Sequence, residues 1–455
     1  MIGTHIKIGE VKLSGEELSA VLRNLSTAGW KPAVMATQDF FLDLADVSLD
    51  ESVFLGERAP YRWDAASKIA GDLFFKDSDL FYFIRHEATQ DGPRGKKSAP
   101  FTRGDRKIYD AIEVGLISDD QDGIEDRIAT FQQAIEKAVK ESLDGRKTRH
   151  LDFDWSQLNT NMGRLKTVLE REEPKPMFNR PDFSNEEFEA SKLLDARESR
   201  RLLVEVSQAG TAREKDIIGK KGKEKGKISK LIHGLKDSGL LTTEILVECT
   251  KTGNQLTKIE SIDSIKTGDA GNLKCPYCDK KFSEESAVEA YGLSELGRKM
   301  LESSYWQTVF VINALTERGI DSEDIICNLS ESGEEIDIVC EFLGELWLFE
   351  LKDREFGSGD AHPLNYRQVK YKADKAFIVT TDKVSKDAKR VIEDLTKEGR
   401  RGRSSVVYIE GHDNLCANLE TEVQRATLGY ATGRVRSIGE QSGINLAPVL
   451  KEKFK

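Results

Sequence analysis

Residues 333–353, GEEIDIVCEFLGELWLFELKD, restrict the possible folds more than any other stretch of the chain. Two apolar runs meet at Leu343 and Gly344, a pattern that reads as two β-strands joined by a tight turn. Into these runs the sequence sets Asp337, Glu350 and Lys352. Charged side chains are almost never fully buried unless they are paired or hold a metal. The strands therefore form either an edge hairpin with solvated charges or a sheet that carries an ion-binding site. Glu350 and Lys352 are two apart on one strand, so they face the same way. Asp337 joins them there if the hairpin closes through Leu343 and Gly344.

The flanking sequence favours the second possibility. Before the hairpin, Trp306, Val309, Phe310, Ile312 and Leu315 give a buried helical face that ends at Gly319. After it come a polar loop EFGSGDAHPLNYRQ, a short helix NYRQVKYKAD, an apolar strand KAFIVTT, a helix VSKDAKRVIEDLTKEG and a strand SSVVYIEG. The order αβββαβαβ fits an α/β sandwich with a mixed central sheet. Two carboxylates and a lysine on one sheet face suit phosphodiester hydrolysis: hard oxygens hold a divalent metal on the phosphate, and the lysine orients water and offsets developing charge. Two other Glu-x-Lys triplets act as controls. Glu10 and Lys12 have no strand or aspartate before them, and Glu173 and Lys175 lie in a proline-rich stretch; neither has the hairpin or the flanking helices. His362, in the loop beyond the hairpin, is expected to be a surface residue.

At 455 residues the chain is too long for one core and predicts about three domains. It is 38% hydrophobic and 32% charged, with no apolar run near the roughly 20 residues of a membrane helix. The start MIGTHIKIGEVKL alternates polar and apolar residues and does not read as a signal peptide, so a cytoplasmic location is expected. Six irregularly spaced cysteines argue for reduced thiols. The net charge of −11 counts against nucleic acid as a partner, but residues 197–237 carry twelve Lys or Arg against six Asp or Glu. Phosphate binding depends on such local excess.

Residues 1–170 read as an N-terminal α/β region whose role the sequence does not disclose. Strands are expected at HIKIGEVKL and DLFYFIRHE and a helix at GEELSAVLRNLSTAGW. A long helix follows, with Ile124, Ile128, Phe131, Ile135, Val139 and Leu143 on one face and Gly145 near its end. Residues 171–194, with three prolines, read as a linker. Residues 195–247 give three helices, the third with Ile228, Leu231, Ile232 and Leu235 on one side, and then LLTTEILVEC as a β-hairpin. This resembles a winged helix domain, whose third helix would enter the major groove. Lys220, Lys221, Lys223, Lys225, Lys227 and Lys230 crowd its tip and are expected to contact DNA; the alternative is a solvated lysine loop on a docking module.

Residues 248–290 resemble a zinc ribbon. Cys275 and Cys278 have the Cys-x2-Cys spacing that brings both sulfurs to one tetrahedral zinc. Upstream only Cys249 is present, with Thr252 where a second cysteine would stand. Either zinc is held by Cys249, Cys275, Cys278 and a fourth ligand the sequence does not identify, or the ribbon keeps its shape without metal. Residues 421–455 read as a C-terminal tail.

Residues 291–420, with Asp337, Glu350 and Lys352 after an amphipathic helix, resemble the PD-(D/E)XK nuclease superfamily of restriction endonuclease-like folds. The resemblance implies an Mg²⁺- or Mn²⁺-dependent nuclease with Asp337, Glu350 and the backbone of Leu351 as metal ligands and Lys352 beside the attacking water. It also implies catalytic places for Gln307 on the first core helix and Gln368 on the helix after the hairpin. Ile336 stands where many members have proline. The chain as a whole is thus expected to be a multidomain α/β DNA endonuclease. Restriction or anti-phage defence is its expected setting by analogy of architecture, and the N-terminal region is expected to meet a protein partner or a second copy. The rival expectation is a DNA-binding regulator or scaffold subunit whose nuclease fold does not cut.

Overall fold

A computed structural model describes residues 3–11, 13, 15–36, 71–86, 111–120, 122–143, 153–158, 160–170, 175–219, 225–259, 261–267, 269–331, 333–398, 405–442 and 447–454. The protein is a multidomain α/β chain with three sheets among these residues. It divides into two compact units: Met1–Gly163 with Phe342–Gly344 and Glu420–Lys455, and Arg164–Glu341 with Glu345–Leu419.

In the first unit, β1 (Gly3–Glu10), α1 (Gly15–Thr27), β2 (Gly71–Lys76), β3 (Asp79–His86), β4 (Ala111–Ser118), α2 (Ile124–Ser142) and β5 (Ser156–Gln157) follow one another. The sheet order is β2-β3-β4-β1-β5, with every pairing antiparallel. Phe81 and Phe83 of β3 pack with Leu18, Leu22 and Leu25 of α1 and with Ile128, Phe131, Ile135 and Val139 of α2. The α2 face expected from its spacing is therefore the one buried; Gly145 lies outside the described residues. Leu80, Tyr82 and Ile84 belong to a different cluster, with Ala431, Val435, Ile438, Leu450 and Phe454. Both faces of β3 are covered, which explains its unbroken apolar run.

Those last five residues correct the sequence reading of 421–455. The stretch is no tail: helices Leu415–Ser442 and Ala447–Lys453 bury apolar side chains against the N-terminal sheet. The period of that helix is masked in sequence by Arg425, Arg434 and Arg436 among small residues.

The second unit runs α3 (Arg164–Leu169), β6 (Met177–Asn179), α4 (Asn185–Asp195), α5 (Arg197–Ala209), α6 (Glu214–Gly219), α7 (Lys225–Asp237), β7 (Leu241–Glu248), β8 (Gln255–Ile259) and α8 (Ile262–Thr267). Then come β9 (Ser286–Leu293), α9 (Glu295–Leu301), α10 (Tyr305–Thr316), β10 (Ile325–Glu331), β11 (Glu334–Phe342), β12 (Glu345–Lys352), α11 (Ser358–Tyr371), β13 (Lys375–Thr380), α12 (Lys386–Glu398) and β14 (Ser405–Glu410).

Strands β10–β14 with β6 make a six-stranded mixed sheet, order β14-β13-β12-β11-β10-β6. β12, β13 and β14 are parallel, whereas β10 pairs antiparallel with β11 and β6. Leu343 (φ 51°) and Gly344 (φ 78°) close the β11–β12 hairpin, the two successive positive φ values of a tight two-residue hairpin turn. For Leu343 the left-handed conformation costs about 1–2 kcal/mol, so the register is held by the strands rather than by the turn residue.

Three further expectations are corrected here. The described part of the proline-rich linker, residues 175–194, is structured: Met177–Asn179 adds the outermost strand, the sheet position that tolerates neighbouring prolines, and Ala190 and Leu194 of α4 are core residues. The loop EFGSGDAHPLNYRQ is mostly helix, since α11 begins at Ser358, with Asp360 accepting from the Gly357 amide at 3.0 Å. LLTTEILVEC is itself a single strand, β7, and its hairpin partner is the following strand β8, paired antiparallel from Ile245↔Ile259 to Glu248↔Gln255. On its other edge β7 pairs with β9, in register from Leu241↔Leu293 to Glu248↔Ser286. Residues 249–285 are inserted between these two strands, and a bridge from Ala212 to Tyr291 joins the connection between α5 and α6 to the same sheet.

Candidate active site and metal site

The β11–β12 hairpin brings Asp337, Glu350 and Lys352 together. Asp337 Oδ2 accepts from the Leu351 amide at 2.6 Å. Glu350 is buried, with Oε1 2.8 Å from Lys352 Nζ and Oε2 2.6 Å from Arg367 of α11. Burial, and then the negative charge of Glu350, push the Asp337 carboxyl up to about 7. Burial lowers the Lys352 pKa, but Glu350 and Asp337 outweigh it and the net shift is upward, so the ammonium stays charged at neutral pH. The centre is a carboxylate pair with one lysine and one arginine set against Glu350.

Asp337, Leu351 and Lys352 line an open cleft of about 680 Å³, together with Lys299, Tyr305 and Thr308. Its wall includes Ser303 (φ 49°) and Ser304 (φ 57°), two successive non-glycine residues in the left-handed region just before α10. The cleft is concave, polar and placed on regular elements, with its carboxylates anchored by backbone and side-chain partners.

The two glutamines expected to take part are elsewhere. Gln307 is fully buried, with Nε2 at 2.9 Å from His412 Nε2 and 3.4 Å from the Val379 carbonyl; its helix neighbours Tyr305 and Thr308 line the cleft instead. Gln368 Nε2 donates to the Ser405 carbonyl at 3.2 Å. Ser405 is level with Trp347 across the parallel strands, and Glu350 is level with Tyr408, so Gln368 is engaged about 10 Å along the strands from the carboxylate. The residue before it, Arg367, is the one on α11 that contacts Glu350. His362 is exposed on α11.

Of the lysine cluster, Lys220, Lys221 and Lys223 lie outside the described residues. Lys225 begins α7, and Lys227 and Lys230 are exposed on it, Lys227 pairing with Glu198 at 3.5 Å.

A second constellation lies in the insertion between β7 and β9. Ligand atoms of Cys249, Cys275, Cys278 and Glu285 all fall within 4.8 Å of one another, and this set could hold a metal such as zinc. The Tyr277 amide donates to Cys275 Sγ at 3.4 Å. Cys278 Sγ donates to Glu285 Oε1 at 2.7 Å, which pushes the thiol up to about 12 and the carboxyl down to about 2. Thr252 occupies the missing-cysteine position and hydrogen-bonds Cys249, whose pKa falls to about 7. Glu285 is the fourth donor of this set, at the place the sequence left open. Its only signal was an acidic residue between the Cys-x2-Cys knuckle and the next strand.

No family model matches the chain and no curated protein matches it. Among solved structures, the protein VC1899 from Vibrio cholerae is similar at 12% identity, with a TM-score of 0.34 over 65% of this chain and 74% of that one. No helix among the described residues is long and apolar enough to cross a membrane.

Proposed function

We propose that the protein is a metal-dependent DNA endonuclease of the PD-(D/E)XK type, cutting at the cleft on β11 and β12. The observation that carries the reading is the convergence of Asp337, Glu350 and Lys352 at one sheet face, with Asp337 and Lys352 open to the cleft. The donor set fits Mg²⁺ or Mn²⁺: two carboxylates and the Leu351 carbonyl are hard oxygen ligands. The upward shift of Asp337 reflects its burial first and then the Glu350 carboxylate placed beside it. A divalent ion there would polarise the phosphodiester and lower the pKa of water. Lys352, held by Glu350, would orient the attacking water, and Arg367 would fix the Glu350 rotamer. The helices α5–α7 with β7 and β9 would grip the duplex as a winged helix, and defence against foreign DNA is the setting this combination suggests.

The test is cleavage of duplex DNA, single-stranded DNA and RNA with Mg²⁺ or Mn²⁺, comparing wild type with Lys352→Ala. The variant is expected to lose about 10²–10⁴-fold in rate. Equal cutting by both, or no cutting by wild type alongside tight DNA binding, would leave the non-catalytic regulator as the better account.

A further inference from the structure

A second groove, of about 450 Å³, opens beside the catalytic cleft in the same unit and shares Asp353 and Arg354 with it, the residues that directly follow Lys352. Its other wall is α5, through Arg197, Arg200, Arg201 and Glu205, with Asp382 also on the lining, so arginines outnumber carboxylates by four to three. Arg200 is a fastener. It is 9% exposed, donates to the Leu194 and Asp195 carbonyls at 2.6 Å each, lies 3.3 Å from Asp353 and stacks over Trp306 at 4.7 Å. This ties α5 to the end of β12 and to α10. Asp353 is further held by Thr381 Oγ1 at 2.8 Å.

Arg197 and Arg201 differ from Arg200. Both are exposed, they stand one helical turn apart, and neither makes an ion pair or side-chain hydrogen bond among the described residues. Arg201 feels the charge of Glu198, but no hydrogen bond among the described residues holds either guanidinium. At that spacing, on a helix locked to the strand carrying Lys352, the two can reach successive phosphates, which guanidinium binds in bidentate fashion. We propose that this groove carries the phosphate backbone of the nucleic acid into the cleft, with Arg197 and Arg201 as its positioning residues. The proposal rests on the nuclease reading. It places the contact on α5, whose arginines belong to the basic excess of residues 197–237, rather than on the lysine-rich approach to α7.

The experiment uses the full chain in a Lys352→Ala background, with and without Arg197→Ala and Arg201→Ala together. Fluorescence anisotropy follows binding of labelled duplex DNA, single-stranded DNA and RNA across a series of KCl concentrations. The arginine variant is expected to bind at least about tenfold more weakly, and the slope of log affinity against log salt should fall by about 1.4 to 1.8, the release from two phosphates. Arg197→Lys with Arg201→Lys should keep the slope. Unchanged affinity and slope in the alanine variant would overturn the proposal, while cutting lost in Lys352→Ala would still uphold the nuclease reading. Conversely, a reduced slope together with full cutting by Lys352→Ala would retain the groove as a binding surface and remove the catalytic assignment. Failure to bind any of the three nucleic acids would remove both.

Discussion

Asp337 answers to opposing demands: its backbone partner at Leu351 favours the carboxylate, while burial and Glu350 disfavour it, and the second effect wins. With a folded pKa near 7 against an ordinary 3.8, the native state binds more protons than the unfolded chain between those values. Stability is therefore greatest below pH 4 as far as this group is concerned, and declines as pH rises toward 7. Asp337→Asn removes that slope and still accepts from the Leu351 amide. Thermal melts without added divalent metal should show the variant above wild type at pH 8, by about 2–4 °C per kcal/mol recovered, with the gap already smaller at pH 5 and nearly closed below about pH 4. A gap that does not grow with pH would refute the assignment. The carboxylates and lysine were legible in sequence because alternation fixes their face. Arg367 and Glu285 were not: in a chain with 68 Lys and Arg and 79 Asp and Glu, only the placement of α11 and of the β9 start singles them out.

At the level of elements, hydrophobic period found the strands of the β11–β12 hairpin and the helix Ile124–Ser142, but neither the helices from Leu415 onward nor which strands pair. The hairpin after α7 forms from β7 and β8, and residues 249–285, which carry β8, lie between β7 and its other partner β9 at Glu248↔Ser286. Cys249 and Glu285 thus flank the far end of a two-stranded pairing, while Cys275 and Cys278 come from the inserted loop. A metal bound there would fasten the end of β7–β9 as well as the insertion. The protein is expected to carry one zinc per chain by elemental analysis. Glu285→Ala should weaken retention by at least about tenfold, and chelation should raise hydrogen exchange in residues 241–293 while leaving residues 345–380 protected. Zinc well below stoichiometric, or retention unaffected by Glu285→Ala, would leave the metal-free ribbon.

Across the whole molecule, the division of the chain was the least legible feature, because residues 420–455 carry no turn or composition signal that marks a return to the N-terminal unit. What fixes the return is a buried network as well as apolar packing. Glu113 of β4 is fully buried and accepts from Tyr82 Oη at 3.1 Å and pairs with Arg434, whose Nε lies 2.9 Å away. Gly115 beside it makes room for the Tyr82 ring, which an added Cβ would meet at 2.1 Å. His86 Nε2 is 2.7 Å from Glu113, yet burial and Arg434 push its pKa down to about 4, so at neutral pH the counter-charge rests on Arg434. Removing one partner of a buried pair costs about 3–5 kcal/mol, since the other is left charged in a poor solvent. Arg434→Ala should therefore accelerate hydrogen exchange throughout residues 71–86 and 111–118. Exchange in residues 325–352 should stay as in wild type, because that sheet has its own core. Adding Glu113→Gln to Arg434→Ala should restore part of the loss, and no restoration would mean that packing, not charge, holds the helix Leu415–Ser442 to its sheet.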